Sequence, residues 1–283
     1  MKFGVYHLIW APPPSNETLA ELGRRAKSLG ADVLELAIGR DPLPFDPRVV
    51  ARSFADIGIE GTLVTTLSAE RDIASSDAAV RRNGVNYVRQ YLEHAAVLGS
   101  PVLSGPLFGP VWNPTLLSSA ERADRWARCV EALSALAQDA QRLNVRIAVE
   151  PLSRFHTAFL NTTADAVRLV DEIGHPNVGI LFDTFQMSIE EKNLGAAIRL
   201  AGSRVFHVHA SENDRGTPGS GHVDWKGVAS ALKEIRYDGC LVIEAFNPDN
   251  VDLANFVKVW RRLEVDPDTL ARDGLRFLRG LFG

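Results

Sequence analysis

The chain has 283 residues, 46% hydrophobic and 23% charged, ordinary proportions for a folded soluble protein with enough length to bury a sizeable core. Its 31 Lys and Arg stand against 35 Asp and Glu, a net charge of −4, which gives no electrostatic footprint for nucleic acid or an anionic membrane. The two cysteines, Cys129 and Cys240, form neither a disulfide framework nor a zinc spacing and read as small core residues.

The first strand-like run, residues 3–7, is followed by "APPPSNETLAEL", with no signal-peptide cleavage pattern and no long apolar span. That predicts a cytoplasmic protein. An amphipathic segment at 19–29 leads to a second run at 33–37 and a third at 62–65. Helical spacing returns at 86–98, a run follows at 101–105, and a helix at 123–143 precedes the run at 145–150. The alternation continues with a helix at 164–173, runs at 178–182 and 205–210, a helix at 225–235 and a last run at 241–245.

Eight strand-like runs separated by helices predict a parallel sheet, and at this length an α/β fold of the TIM type, a (β/α)₈ barrel forming one domain over residues 1–283. An open doubly wound sheet is the alternative, but "YHLIWAPPP" lacks the Gly-rich turn expected after its first strand. The glycines of "GTPGSG", residues 216–221, lie in a polar loop and read as a flexible loop rather than a phosphate cradle. Asp266 before Pro267 signals a C-terminal helix. Its apolar residues Leu270, Leu275, Phe277, Leu278, Leu281 and Phe282 serve either barrel packing or a subunit interface.

In such a barrel the chemistry belongs at the C-terminal strand ends. Four consecutive runs finish on ligand-type residues: "RIAVE" on Glu150, "GILFD" on Asp183, "RVFHVH" on His209 and "LVIE" on Glu244. Each alone has a structural reading, such as a helix cap, a core histidine or an ion-paired glutamate. Together they put three carboxylates and an imidazole at one level, where like charges repel unless a cation sits among them. That donor set suits Mn²⁺, Co²⁺ or Mg²⁺ better than a closed zinc site. Tyr6, ending the first strand, and Trp112, in "GPVWNP", are candidate pocket walls or structural aromatics.

The motifs "VEPLSRFHTAFLNT", "FDTFQMSIEE", "HVHASENDRG", "GSGHVDW", "IEAF" and "VWRRL" resemble the ketose 3-epimerases, the D-tagatose and D-psicose 3-epimerase group of the xylose-isomerase-like barrels, over nearly the whole chain. The resemblance implies one divalent metal, Mn²⁺ first, on Glu150, Asp183, His209 and Glu244. It also implies that Glu150 and Glu244 act as the acid/base pair that inverts C3 of a free ketose through a cis-enediolate. Arg215 matches a substrate-binding arginine, and the family's members are commonly homodimers or homotetramers.

Two positions depart from that pattern. His156 stands where the family carries a sugar-contacting glutamate, and Gln186 where it carries a substrate-contacting histidine. Both affect the substrate end. A shifted substrate, such as a keto sugar with a glycosidic group, is therefore a second expectation, beside another enolising isomerase or lyase. A non-catalytic sugar-binding barrel has no use for two opposed bases. A nuclease needs a basic cleft and more histidine ligands than a chain with 7 histidines offers here.

Overall fold

The computed structural model describes residues 1–10, 12–39, 41–112 and 115–282. Eight parallel strands occupy β1 (Lys2–Tyr6), β2 (Val33–Ala37), β3 (Glu60–Val64), β4 (Val102–Gly105), β5 (Arg146–Val149), β6 (Val178–Asp183), β7 (Val205–His209) and β8 (Cys240–Ile243). They close in sequence order, β8 pairing with β1. This is the (β/α)₈ barrel, and closure excludes the open sheet.

Helices follow the strands because the segments between them carry an apolar stripe and explicit end signals. Ser15 and Thr18 form a reciprocal cap for α1 (Asn16–Ser28). Asp46 and Pro47 start α2 (Pro47–Ile57). Gly99, at φ 80°, ends α3 (Ala78–Leu98) in the left-handed region that suits glycine. A Ser118–Glu121 capping box opens α4 (Ser119–Arg142), and Thr162 caps α5 (Thr163–Ile173). Two short helices, α6 (Thr184–Glu190) and α7 (Leu194–Ala201), fill one crossover. They are followed by α8 (Trp225–Glu234) and α9 (Val251–Val257). The sequence reading places no helix at α2, α6, α7 or α9; α6, α7 and α9 have only 7 or 8 residues, about two turns, too few for a clear period. Among the described residues no helix is long and apolar enough to cross a membrane.

The C-terminal helix α10 (Pro267–Phe282) buries Leu270, Leu275 and Leu278. Phe277 meets Trp225 and Phe282 meets Phe3, each with ring centroids 6.0 Å apart, so its apolar face lies on the barrel. The 216–221 loop differs from a flexible connection. It wraps the buried carboxylate of Glu212, which accepts from Gly219 N at 2.8 Å, Val223 N at 2.9 Å and Trp225 Nε1 at 2.7 Å. Gly219 has φ 91°, a conformation that selects glycine, and its N–H is committed to this internal anion.

Most of the core is the apolar layer between strands and helices. Near the C-terminal mouth the barrel interior turns polar: Glu35, Thr62, His207 and His209 are all buried. His207 and His209, two apart on β7, share a face as strand alternation requires.

Candidate active site

The four predicted strand-end residues arrive at the mouth together. Glu150 directly follows β5, Asp183 ends β6, His209 ends β7 and Glu244 directly follows β8. Asp183 and His209 are paired in register. Ligand atoms of Glu150, Asp183 and His209 lie within 4.8 Å of one another, all three residues buried. Glu244 completes the group from the side, its Oε2 3.4 Å from His209 Nδ1.

Arg215 sits against this group. It donates to Glu244 Oε2 and lies 3.4 Å from Asp183 Oδ2. Its guanidinium stacks over Phe185 at 4.1 Å and Phe246 at 5.1 Å. Asp183 also caps α6 through Oδ1 to Phe185 N at 2.9 Å, so the capping role and the cluster role fall on different oxygens.

The donor set fits a divalent cation. Asp183 Oδ2 and His209 Nδ1 are buried with no hydrogen-bond partner, a costly arrangement for two groups that face each other's neighbours. Burial, with repulsion from Asp183 and Glu35 that His209 and Arg215 only partly offset, pushes Glu150 up to about 8. Burial works against charge on His209, but Glu35, Glu150 and Asp183 outweigh it and raise the imidazole above its ordinary value.

A cavity of about 640 Å³ opens over the cluster and includes Tyr6, Trp112, Glu150, His156, Gln186, Arg215 and Glu244 in its wall, so both glutamates and the predicted substrate-contacting residues meet in one space, with Asp183 and His209 behind its wall. Tyr6 stands edge-on to His209, with ring centroids 5.8 Å apart. Trp112 packs on His156 at 4.2 Å and on Phe256 of α9 at 5.7 Å. Gln186 and His156 converge on one residue: Gln186 Oε1 accepts from Ser153 N, and His156 Nδ1 meets Ser153 Oγ, both at 2.9 Å. Burial, reinforced by Arg215, pulls His156 down to about 4, so this imidazole is neutral near pH 7. The two glutamates ending "FDTFQMSIEE" are structural. Glu190 pairs with Arg154, and Glu191 accepts from Thr163 N at 2.7 Å at the start of α5.

Sequence reading missed two members of the site, Glu35 and His207. Glu35, on β2, lies 2.6 Å from His209 Nε2 and 2.8 Å from His207 Nε2. The available signal was a lone carboxylate inside the apolar run "VLELA", which an ordinary buried strand does not carry. Phe256 was also unseen, because α9 was.

A parallel eight-stranded barrel with a buried acidic cluster at its C-terminal mouth defines an enzyme of the TIM-barrel class. The sequence profile described as Xylose isomerase-like TIM barrel matches residues 24–281. The D-psicose 3-epimerase of Agrobacterium fabrum is 32% identical over 293 residues, covering 100% of both chains. The probable ketose 3-epimerase of Synechocystis is 34% identical over 280 residues, covering 99% of this chain and 96% of its own. The crystal structure of D-allulose 3-epimerase from Methylomonas in complex with D-allulose superposes with a TM-score of 0.92 at 29% identity, covering 99% of this chain and 96% of that one. The chain belongs to the ketose 3-epimerases of the xylose isomerase-like TIM barrel family, carbohydrate isomerases.

Proposed function

We propose that this protein inverts C3 of a free ketose of the D-tagatose, D-allulose or L-ribulose type, using Glu150 and Glu244 as its acid/base pair. The observation that carries the reading is the order of the strand ends. Glu150 and Glu244 are the outer members of four neighbouring strands, with Asp183 and His209 between them. A sugar held at the centre meets one carboxylate from each side.

Glu150, Asp183, His209 and Glu244 would hold one divalent cation, Mn²⁺ ahead of Co²⁺ or Mg²⁺, as their oxygen-rich donor set favours. When bound, that ion acts as a Lewis acid on the ketose oxygens and offsets the charge that develops as C3 loses its proton. One glutamate takes the C3 proton from one face. The other returns a proton from the opposite face, which inverts the centre; a single base would return it to the face it left. Arg215 offers a fork to a sugar oxygen beside Glu244, and Gln186, His156, Tyr6 and Trp112 line the rest of the sugar's space. Arg215 is the only Lys or Arg in the wall of this cavity among the described residues, which favours an unphosphorylated sugar. The reading includes a cytoplasmic homodimer or homotetramer, which light scattering on the purified protein tests for assembly.

The cavity's outer wall favours a second reading, a keto sugar carrying an additional group. Val111, Trp112, Leu253, Phe256 and Val257 give it an apolar rim beyond the polar floor. One experiment separates the two. The Mn²⁺-loaded protein is incubated in D₂O with D-fructose, D-tagatose, D-allulose and L-ribulose, and deuterium is located by NMR. Deuterium at C3 with appearance of the epimer, lost in Glu150→Gln and in Glu244→Gln, supports the free-ketose reading. No exchange on any of the four sugars sinks it and moves the search to substituted keto sugars.

A further inference from the structure

We infer that Glu35 is a positioning residue for His209: it accepts a hydrogen bond from Nε2–H of that imidazole and so leaves the Nδ1 lone pair facing the acidic cluster at Glu244. The inference rests on the proposed cation site and goes beyond it to a residue outside the four ligands.

Glu35 is fully buried in the middle of β2. Its Oε2 is 2.6 Å from His209 Nε2, and its Oε1 accepts from Thr62 Oγ1 at 2.9 Å, Glu35 and Thr62 being register partners on β2 and β3. His207 Nε2 is 2.8 Å from Oε1 but off the line of a hydrogen bond, so His209 holds the aligned contact. β2 and β7 are not neighbours in the sheet, and the contact therefore crosses the barrel interior.

The chemistry leaves one arrangement. An ionised carboxylate only accepts, so the nitrogen facing it must carry the proton. An imidazole that binds a cation is neutral, and its other nitrogen then presents the lone pair. That other nitrogen is Nδ1, which has no hydrogen-bond partner and lies among the carboxylates of the cluster. Apolar side chains fill a barrel interior without the desolvation penalty of a buried charge, so packing alone gives no reason for a carboxylate there. Orienting a metal-binding histidine through its second nitrogen does.

A competing arrangement uses the same atoms. Ligand atoms of Glu35, His207 and His209 also lie within 4.8 Å of one another, which offers Glu35 as a ligand to a second ion. Stoichiometry separates the two roles.

The test is calorimetric titration of metal-stripped protein with Mn²⁺, beside thermal melting of the same metal-stripped samples. The wild type is expected to bind one Mn²⁺ per chain. Glu35→Leu, which removes the acceptor, is expected to bind one with affinity lowered about 10- to 100-fold, while Glu35→Gln, which keeps an oxygen acceptor, recovers most of it. Equal affinity in Glu35→Leu and wild type overturns the inference and leaves the proposed function standing. Two Mn²⁺ in the wild type, one of them lost in Glu35→Leu, makes Glu35 a ligand and overturns it as well. A wild type that takes up no Mn²⁺ removes the metal part of the proposed function and this inference together. Should Glu35→Leu not fold, NMR of ¹⁵N-histidine-labelled wild type loaded with diamagnetic Mg²⁺ decides. A neutral His209 protonated at Nε2 supports the inference, and protonation at Nδ1 overturns it.

Discussion

Arg215 Nη1 is hydrogen-bonded to Oε2 of Glu244, the strand-end carboxylate that closes the acidic cluster, and the same guanidinium lies 3.4 Å from Asp183. Arg215 holds this place from a left-handed backbone position, φ 70°, fixed by its N–H to Glu212 O at 2.9 Å. Truncation to Ala leaves Glu244 buried without its cation. Arg215→Ala is expected to lower kcat/KM on the exchanged ketose about 30- to 150-fold, equivalent to about 2–3 kcal/mol for a charged hydrogen bond. Arg215→Lys should recover little, because an ammonium cannot stack between Phe185 and Phe246 while donating to the carboxylate. Steady-state kinetics decide it, and a loss below threefold would argue that the pair has no part in turnover.

Gln186 and His156 act through the same residue, since one takes the N–H of Ser153 and the other meets its hydroxyl. Gln186→His and His156→Glu, made singly and together, are therefore expected to be non-additive in kcat/KM by about 0.5–1.5 kcal/mol. Additive effects within 0.3 kcal/mol, or about that, would show that Ser153 does not couple them.

Glu212 is the anion around which the 213–225 loop folds, accepting from three backbone N–H groups and one indole. Glu212→Ala orphans those donors. The expected cost is about 3 kcal/mol, a fall in Tm of roughly 6–12 °C by calorimetry. A fall under about 2 °C would mean that water replaces the carboxylate without loss.

His7 is buried and its Nδ1 accepts from Ala37 N at 3.1 Å, which requires the neutral ring. Burial pushes it down to about 4, with Glu35 opposing only in part. The unfolded chain binds a proton near 6.5 and the folded one does not until about 4. This stabilisation is complete above pH 6.5 and is lost as the pH falls toward 4. It amounts to about 3 kcal/mol. His7→Asn, whose side-chain oxygen can still accept, should flatten the slope of Tm against pH in that window. An unchanged slope would assign the acid sensitivity to other groups.

Much of the barrel and of its site was legible from local pattern. β-Rich runs bounded by helical periodicity need no long-range information, and the four strand-end residues stood out because a ligand-type side chain closing an apolar run is costly wherever it occurs. Glu35 and His207 were hidden for the opposite reason. Each sits inside a run whose apolar neighbours mask it, and only closure of the sheet brings β2 across from β7. The wall formed by Phe256 escaped notice because α9, at 7 residues, carries no resolvable period.

Sequence by itself determined the alternation of strands and helices and the level at which Glu150, Asp183, His209 and Glu244 lie, since both are encoded in spacing along one chain; the family came from the resemblance of its motifs. Tertiary structure decided which atoms face one another: that Arg215 pairs with Glu244, that Gln186 and His156 share Ser153, and that Glu35 stands behind His209. Such contacts depend on barrel closure and side-chain direction, which bring together residues as much as 174 positions apart and leave no periodic trace in the sequence.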